Sequence, residues 1–248
     1  MASGRGAHPE DETLFAPSER PRLRAAVADL SWLRTRGYGD TASLTLVGDR
    51  YRLHRRQRNA VGRSACADAT AAHRRARRRP LRALAGRWLE VDAFNVIITL
   101  EGAFGGAYSF VGRDGACRDV AGVQGTYHPV DHTRPAAAAV GDRARRAGLA
   151  GVIWRLDGPV SNAGRLKTRI AEARPPGLGW RIHVQDTVDD ALVESPHPVA
   201  SSDSVVLDQV RAWTALEREV IGALDLEPNL CDLRPPERPT GRVDPSRS

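Results

Sequence analysis

Asp92 and Asn95 close the run Trp88-Leu89-Glu90-Val91-Asp92-Ala93-Phe94-Asn95, placing an acid and an amide where an apolar strand gives way to a helix. A second apolar-to-acidic junction, Val199-Ala200-Ser201-Ser202-Asp203-Ser204, comes much later, and Asp157 and Asp186 follow the apolar runs Val152–Leu156 and Ile182–Val184. In a parallel sheet the carboxyl ends of all strands lie on one edge, so acids remote in sequence meet there. Carboxylates gathered in one place repel one another unless a cation joins them, and an all-oxygen donor set suits magnesium or manganese. Such an ion activates water and stabilises charge growing on a phosphate, the chemistry of phosphodiester hydrolysis. The competing reading of any one of these aspartates is a helix N-cap. Thr187-Val188-Asp189-Asp190 has capping-box spacing, Asn95 either holds Asp92 or caps the next helix, and Asp208 is either a supporting acid or an exposed one.

Other chemistries lack their equipment. There is no Gly-x-Ser-x-Gly elbow, no P-loop and no dinucleotide fingerprint. An aspartyl phosphatase would place an acid two residues after Asp92, where Phe94 stands, and His128, His132, His183 and His197 are scattered. Cys66, Cys117 and Cys231 have neither zinc-site spacing nor the number for a disulfide framework, which points to a reducing, cytoplasmic compartment. No secretory leader or membrane span is read in the sequence.

Charge points to the partner. Basic residues number 37 against 30 acidic, a net +7, and every basic residue except Lys167 is arginine. Between Arg50 and Arg79 there are eleven arginines and one acid, Asp68. Such a block attracts a polyanion by releasing its condensed counterions, so nucleic acid is the expected partner. On a helix through this block Leu53, Gln57, Ala60, Val61 and Ser64 share one face, and Arg52, Arg55, Arg56 and Arg63 another. Arg50, Arg52, Arg55, Arg56, Arg58 and Arg63 are the candidate nucleic-acid contacts.

These residues need elements to position them. Residues 1–17 read as disordered, 18–80 as a helical arginine-rich region, 84–225 as an α/β domain and 226–248 as a loose Pro-rich tail. The first helix should start near Ser18, tolerate Pro21, align Leu23, Val27, Leu30 and Leu33 with Trp32 sealing the face, and stop at Gly37. Residues 41–47 fit helix or strand. Arg74 to Pro80 reads as a helix end or linker, because five arginines around one alanine offer nothing to bury. From Leu84 short apolar runs alternate with amphipathic stretches, the last being Val205–Leu224, as in βαβ units around a mostly parallel sheet. Arg113-Asp114-Gly115 is a hairpin turn in which Asp114 has a turn role, and Ser161 is placed to cap the helix of Leu166 and Ile170.

Asp92-Ala93-Phe94-Asn95, Val188-Asp189-Asp190-Ala191-Leu192 and Ala200-Ser201-Ser202-Asp203-Ser204 occur in the order of motifs in the PIN-like nucleases, and residues 84–224 resemble their NYN branch. The whole chain, through Gly48-Asp49-Arg50-Tyr51, Arg56-Gln57-Arg58 and Asp157-Gly158-Pro159-Val160-Ser161, resembles the uncharacterised family called domain of unknown function 434. The resemblance implies a PIN-like, Rossmann-like α/β fold: a mostly parallel sheet flanked by helices, beside a small N-terminal helical arginine-rich region. It implies that Asp92 and Asp203 are metal ligands, that Asp189 or Asp190 is the middle acid, and that Asn95, with Ser201 and Ser202 nearby, supports them. NYN proteins often carry a further acid soon after the residue matching Asp203; here Val205, Val206 and Leu207 follow, so Asp157 or Asp208 would have to supply it. The expected function is a Mg2+- or Mn2+-dependent endoribonuclease, RNA being preferred by family analogy. The alternatives are a non-catalytic nucleic-acid-binding protein with an incomplete acidic pocket, and a module that meets an acidic protein.

Overall fold

The computed structural model describes residues 6–120, 127–226 and 229–236. The N-terminal part consists of helices α1 (Asp11–Leu14), α2 (Arg20–Thr35), α3 (Asp40–Arg50), α4 (Arg55–Ser64) and α5 (Asp68–Arg77). Pro21 sits in the first turn of α2, where a missing N–H costs nothing, and Gly37, at φ +76°, follows its end. Leu23, Ala26, Val27 and Leu30 of α2 pack with Val47 of α3 and Ala60 and Val61 of α4. Residues 41–47 are thus helical. Trp32 does not seal this face: it is 38% exposed, and the Arg36 guanidinium lies 3.6 Å above its ring.

Much of the segment expected to be disordered has a fixed place. Phe15 is fully buried against Tyr108 and Phe110, and the carboxylate of Asp11 is covered by Arg56. Residues 1–5 lie outside the described residues.

A 3₁₀ turn, Leu81–Leu84, leads into β1 (Trp88–Asp92), α6 (Ala93–Phe104), β2 (Ser109–Val111), β3 (Cys117–Arg118), α7 (Thr133–Arg146), β4 (Gly151–Asp157), α8 (Ala163–Glu172), β5 (Gly179–Gln185), α9 (Val188–Val193), β6 (Val199–Ala200), α10 (Ser204–Gln209), α11 (Leu216–Ala223) and β7 (Leu230–Asp232). The main sheet has the order β5-β4-β1-β6 and is parallel throughout. Leu89, Val91, Val152, Trp154 and Leu156 project from one face into the large core with α6, α7, α8 and α11. Val199 faces the other side, with Val188 and Leu192 of α9, Val206 and Leu207 of α10, and Trp213. The fold is therefore a mixed α/β architecture with a parallel sheet flanked by helices. The chain runs outward from β1 through β4 to β5 and then places β6 on the opposite side of β1. That reversal makes the carboxyl ends of β1 and β6 the place where open α/β sheets bind ligands.

Several local expectations are corrected. Asn162, at φ 65°, rather than Ser161, stands at the α8 N-cap, and neither Asn162 nor Thr187 before α9 makes a side-chain cap bond. The stretch 205–224 is two helices, parted where buried Trp213 turns inward and donates Nε1 to the Arg74 carbonyl at 2.7 Å. The tail contributes β7, which pairs in parallel with β2 and buries Cys231 and Leu233 in the N-terminal core. Residues 237–248 lie outside the described residues. No helix among the described residues is long and apolar enough to cross a membrane.

Candidate functional site

Asp92 ends β1 and caps α6, its Oδ1 accepting from the Asn95 amide at 3.3 Å. Its Oδ2 accepts from the Ser201 hydroxyl at 2.8 Å, and this serine follows β6, the neighbouring strand. The Asn95 side-chain oxygen accepts from the Ser202 amide at 3.2 Å and from the Ser202 hydroxyl. Cap and support are therefore compatible roles, and the pair Asp92 and Asn95 fastens the β6 loop through two serines. Asp203 caps α10, accepting from Val205 and Val206 amides at 2.7 and 3.3 Å, while its own amide donates to Ser201 Oγ at 3.1 Å.

Burial pushes the Asp92 carboxyl up to about 7; the Ser201 and Asn95 hydrogen bonds oppose this, and the charges of Asp157 and Asp189 add to it. Asp157, at the end of β4, is raised by partial burial and by Asp189, and accepts from the Val188 amide at the start of α9. Asp189 is raised by partial burial, then by Asp203 and Asp190. A chain of mutually repelling carboxylates thus links Asp92, Asp157, Asp189 and Asp203. Among the described residues no three His, Cys, Asp or Glu side chains form a group able to hold an ion directly. The donor chemistry is that of a hard cation which retains several waters and takes only one or two carboxylates.

Beside these acids a groove of about 510 Å³ runs between the N-terminal helices and the β6 loop, with Arg63, Thr70, Asn95, Ser202, Asp203 and Ser204 among its walls. Cys66 also lines it, but its thiol is pushed up to about 11 by burial and by Asp114, so it is a poor nucleophile.

Residues 81–219, more than half of the chain, match the family described as Domain of unknown function (DUF5616). The chain belongs to this family. Residues 22–77 match Protein of unknown function (DUF434), so that resemblance is met in the N-terminal helices rather than along the whole chain. Uncharacterized protein MJ0935 of Methanocaldococcus jannaschii is 26% identical over 186 residues, covering 75% of this chain and 88% of that protein. No solved structure matches.

The DUF434 and DUF5616 segments meet at an ionic cluster that sequence reading missed. Arg74 of α5, only 4% exposed, donates Nη1 to Asp114 at 2.8 Å and Nε and Nη2 to Asp208 at 2.7 and 2.9 Å. Arg118 grips Asp114 with Nη1 and Nη2 at 3.0 and 2.7 Å. Burial works against the Asp114 charge, yet Arg118 and Arg74 hold its carboxyl well below the usual carboxylate range. Asp208 is thereby committed to Arg74, and the Arg74–Pro80 run begins as the last turn of α5, the helix end of its two readings, but with Arg74 buried.

The arginines expected to meet nucleic acid divide into two sets. Arg50, Arg52 and Arg55 are exposed, Arg50 with Asp29 3.5 Å from its Nε, whereas Arg56 pairs more closely with Asp11 at 2.7 Å, Arg58 with Asp49 at 2.7 Å and Arg63 with Asp119 at 3.0 Å. A second missed residue is Glu217 of α11, 1% exposed, whose two carboxylate oxygens accept from no other residue among those described. Its pKa is pushed up to about 8 by burial, its own amide opposing and the Asp92 charge adding.

Proposed function

We propose that the chain is a metal-dependent nuclease that hydrolyses phosphodiester bonds in RNA, with a PIN-like fold of the NYN kind. The observation that carries this reading is the tie between Asp92 and the Ser201–Asp203 loop on adjacent parallel strands, where the strand order reverses and Asp157 and Asp189 add their charge. Mg2+ or Mn2+ would be held directly by one or two of Asp92, Asp157, Asp189 and Asp203 and by the others through its retained waters, with Asp190 beside them reinforcing the negative charge. The ion, when bound, supplies an activated water and screens the negative charge of the phosphate. The chain's own residues orient the acids: Ser201 fixes one oxygen of Asp92, Asn95 fixes Ser202, and the α10 amides fix Asp203. Arg50, Arg52 and Arg55 hold the sugar–phosphate backbone.

One observation favours a second reading, a nucleic-acid-binding protein that does not cut: Asp203 is occupied as a helix cap, and apolar residues follow it. Purified protein incubated with single-stranded and structured RNA in manganese, magnesium or chelator separates the two. Metal-dependent cleavage supports the nuclease. Binding that weakens steeply with salt, without cleavage in either metal, supports the second reading.

A further inference from the structure

Asp203 lies between two backbone carbonyls that are both held by buried guanidinium groups. Arg118 donates Nε to the Ser202 carbonyl at 2.9 Å, and Arg74 donates Nη2 to the Ser204 carbonyl at 3.1 Å. Both arginines are in turn fixed by Asp114, which is 1% exposed and also accepts from the Ala116 amide at 3.1 Å. The space is tight: a Cβ on Gly112 would stand 2.9 Å from Arg118 Nη1 and 3.2 Å from the Ser64 Cα, so a larger residue there would have to displace the Arg118 guanidinium. Two arginines face two aspartates, Asp114 and Asp208, and their formal charges cancel. A packed apolar contact would hold α5 against the α/β part equally well. A planar, multi-donor fork grips a carboxylate with two bonds and a neighbouring carbonyl with a third, a geometry that a compact ammonium does not reproduce.

We propose that Asp114 is a positioning residue for the Asp203 loop: through Arg118 and Arg74 it fixes the carbonyls of Ser202 and Ser204, and through Arg74 it makes α5 part of the site. The DUF434 segment then completes the DUF5616 site in addition to carrying arginines for nucleic acid. That role toward a metal ligand rests on the nuclease reading above; the holding of the loop does not.

The test uses the full chain and two variants. Asp114→Asn removes the charge that both arginines share. Arg118→Lys keeps a cation beside Asp114 but has one nitrogen, which cannot hold the carboxylate and the Ser202 carbonyl in the same way. Backbone hydrogen exchange over residues 202–206 and a manganese(II) titration followed by electron paramagnetic resonance are read below the melting temperature. Arg118→Lys is expected to exchange about tenfold faster in this segment, with β1 unchanged. Its manganese affinity is expected to fall about tenfold or more, as when a residue orienting a ligand is lost. Should Asp114→Asn fail to fold, Arg118→Lys alone decides. A lower melting temperature with wild-type exchange and wild-type manganese affinity would overturn the proposal. If the wild-type chain binds no manganese, the metal reading falls, and exchange alone decides whether Asp114 holds the loop.

Discussion

The Ser201 hydroxyl donates to Asp92 Oδ2 across 2.8 Å, so the serine that follows β6 holds the aspartate that ends β1. This bond stabilises the ionised form of Asp92 in a buried setting that otherwise favours the proton. Ser201→Ala removes it and raises the Asp92 pKa above about 7. The pH profile of manganese binding should shift to higher pH by about one to two units, because a hydrogen bond to a charged group contributes roughly 1.5–3 kcal/mol. A titration at several pH values checks this.

Asp92 should cost the fold stability where it serves the site. Its folded pKa of about 7 lies above the ordinary 3.8. Between those values the folded chain keeps a proton that the unfolded chain releases, so stability falls as pH rises through this window and the penalty is complete above it. Asp92→Asn is expected to raise stability at pH 8 by roughly 2–4 kcal/mol and to leave it nearly unchanged at pH 4. The same variant should lose metal binding. Urea denaturation at the two pH values reads the first effect.

Glu217 follows the same sign with less functional consequence. Burial raises its pKa from 4.5 to about 8, so stability declines as pH rises through that interval. Glu217→Gln should melt close to the wild type at pH 5 and clearly above it at pH 9. A parallel set of thermal melts decides.

The two sets of arginines predict two kinds of variant. Arg50→Glu with Arg52→Glu and Arg55→Glu should weaken RNA binding and flatten its salt dependence, each lost phosphate contact removing about 0.7 from the single-strand slope. Arg56→Ala instead uncovers the buried Asp11 carboxylate and should cost on the order of 3 kcal/mol of stability. Binding isotherms at three salt concentrations, beside denaturation curves, separate these effects.

Asp92, Asn95 and the Ser201–Asp203 loop were legible because an apolar run that ends in an acid marks a strand edge whatever surrounds it. The parallel sheet was legible from the same alternation. Arg74 was not: five arginines around one alanine look equivalent, and the buried one is selected by Asp114 and Asp208, remote in sequence. Asp114 was hidden by its second role, since an aspartate before glycine already explains a hairpin turn. β7 escaped notice because a three-residue strand carries little periodicity and its partner, β2, lies far earlier in the chain. Asp203 shows a deeper limit: cap and proposed ligand are one residue, and its neighbours alone cannot separate the roles.

Manganese-dependent cleavage of end-labelled RNA, comparing the wild type with Asp92→Asn and Asp203→Asn, decides whether the acids at the ends of β1 and β6 form a nuclease site. Cleavage by the wild type is expected, abolished by chelator and lost in both folded variants. Cleavage that survives in both variants would contradict such a site.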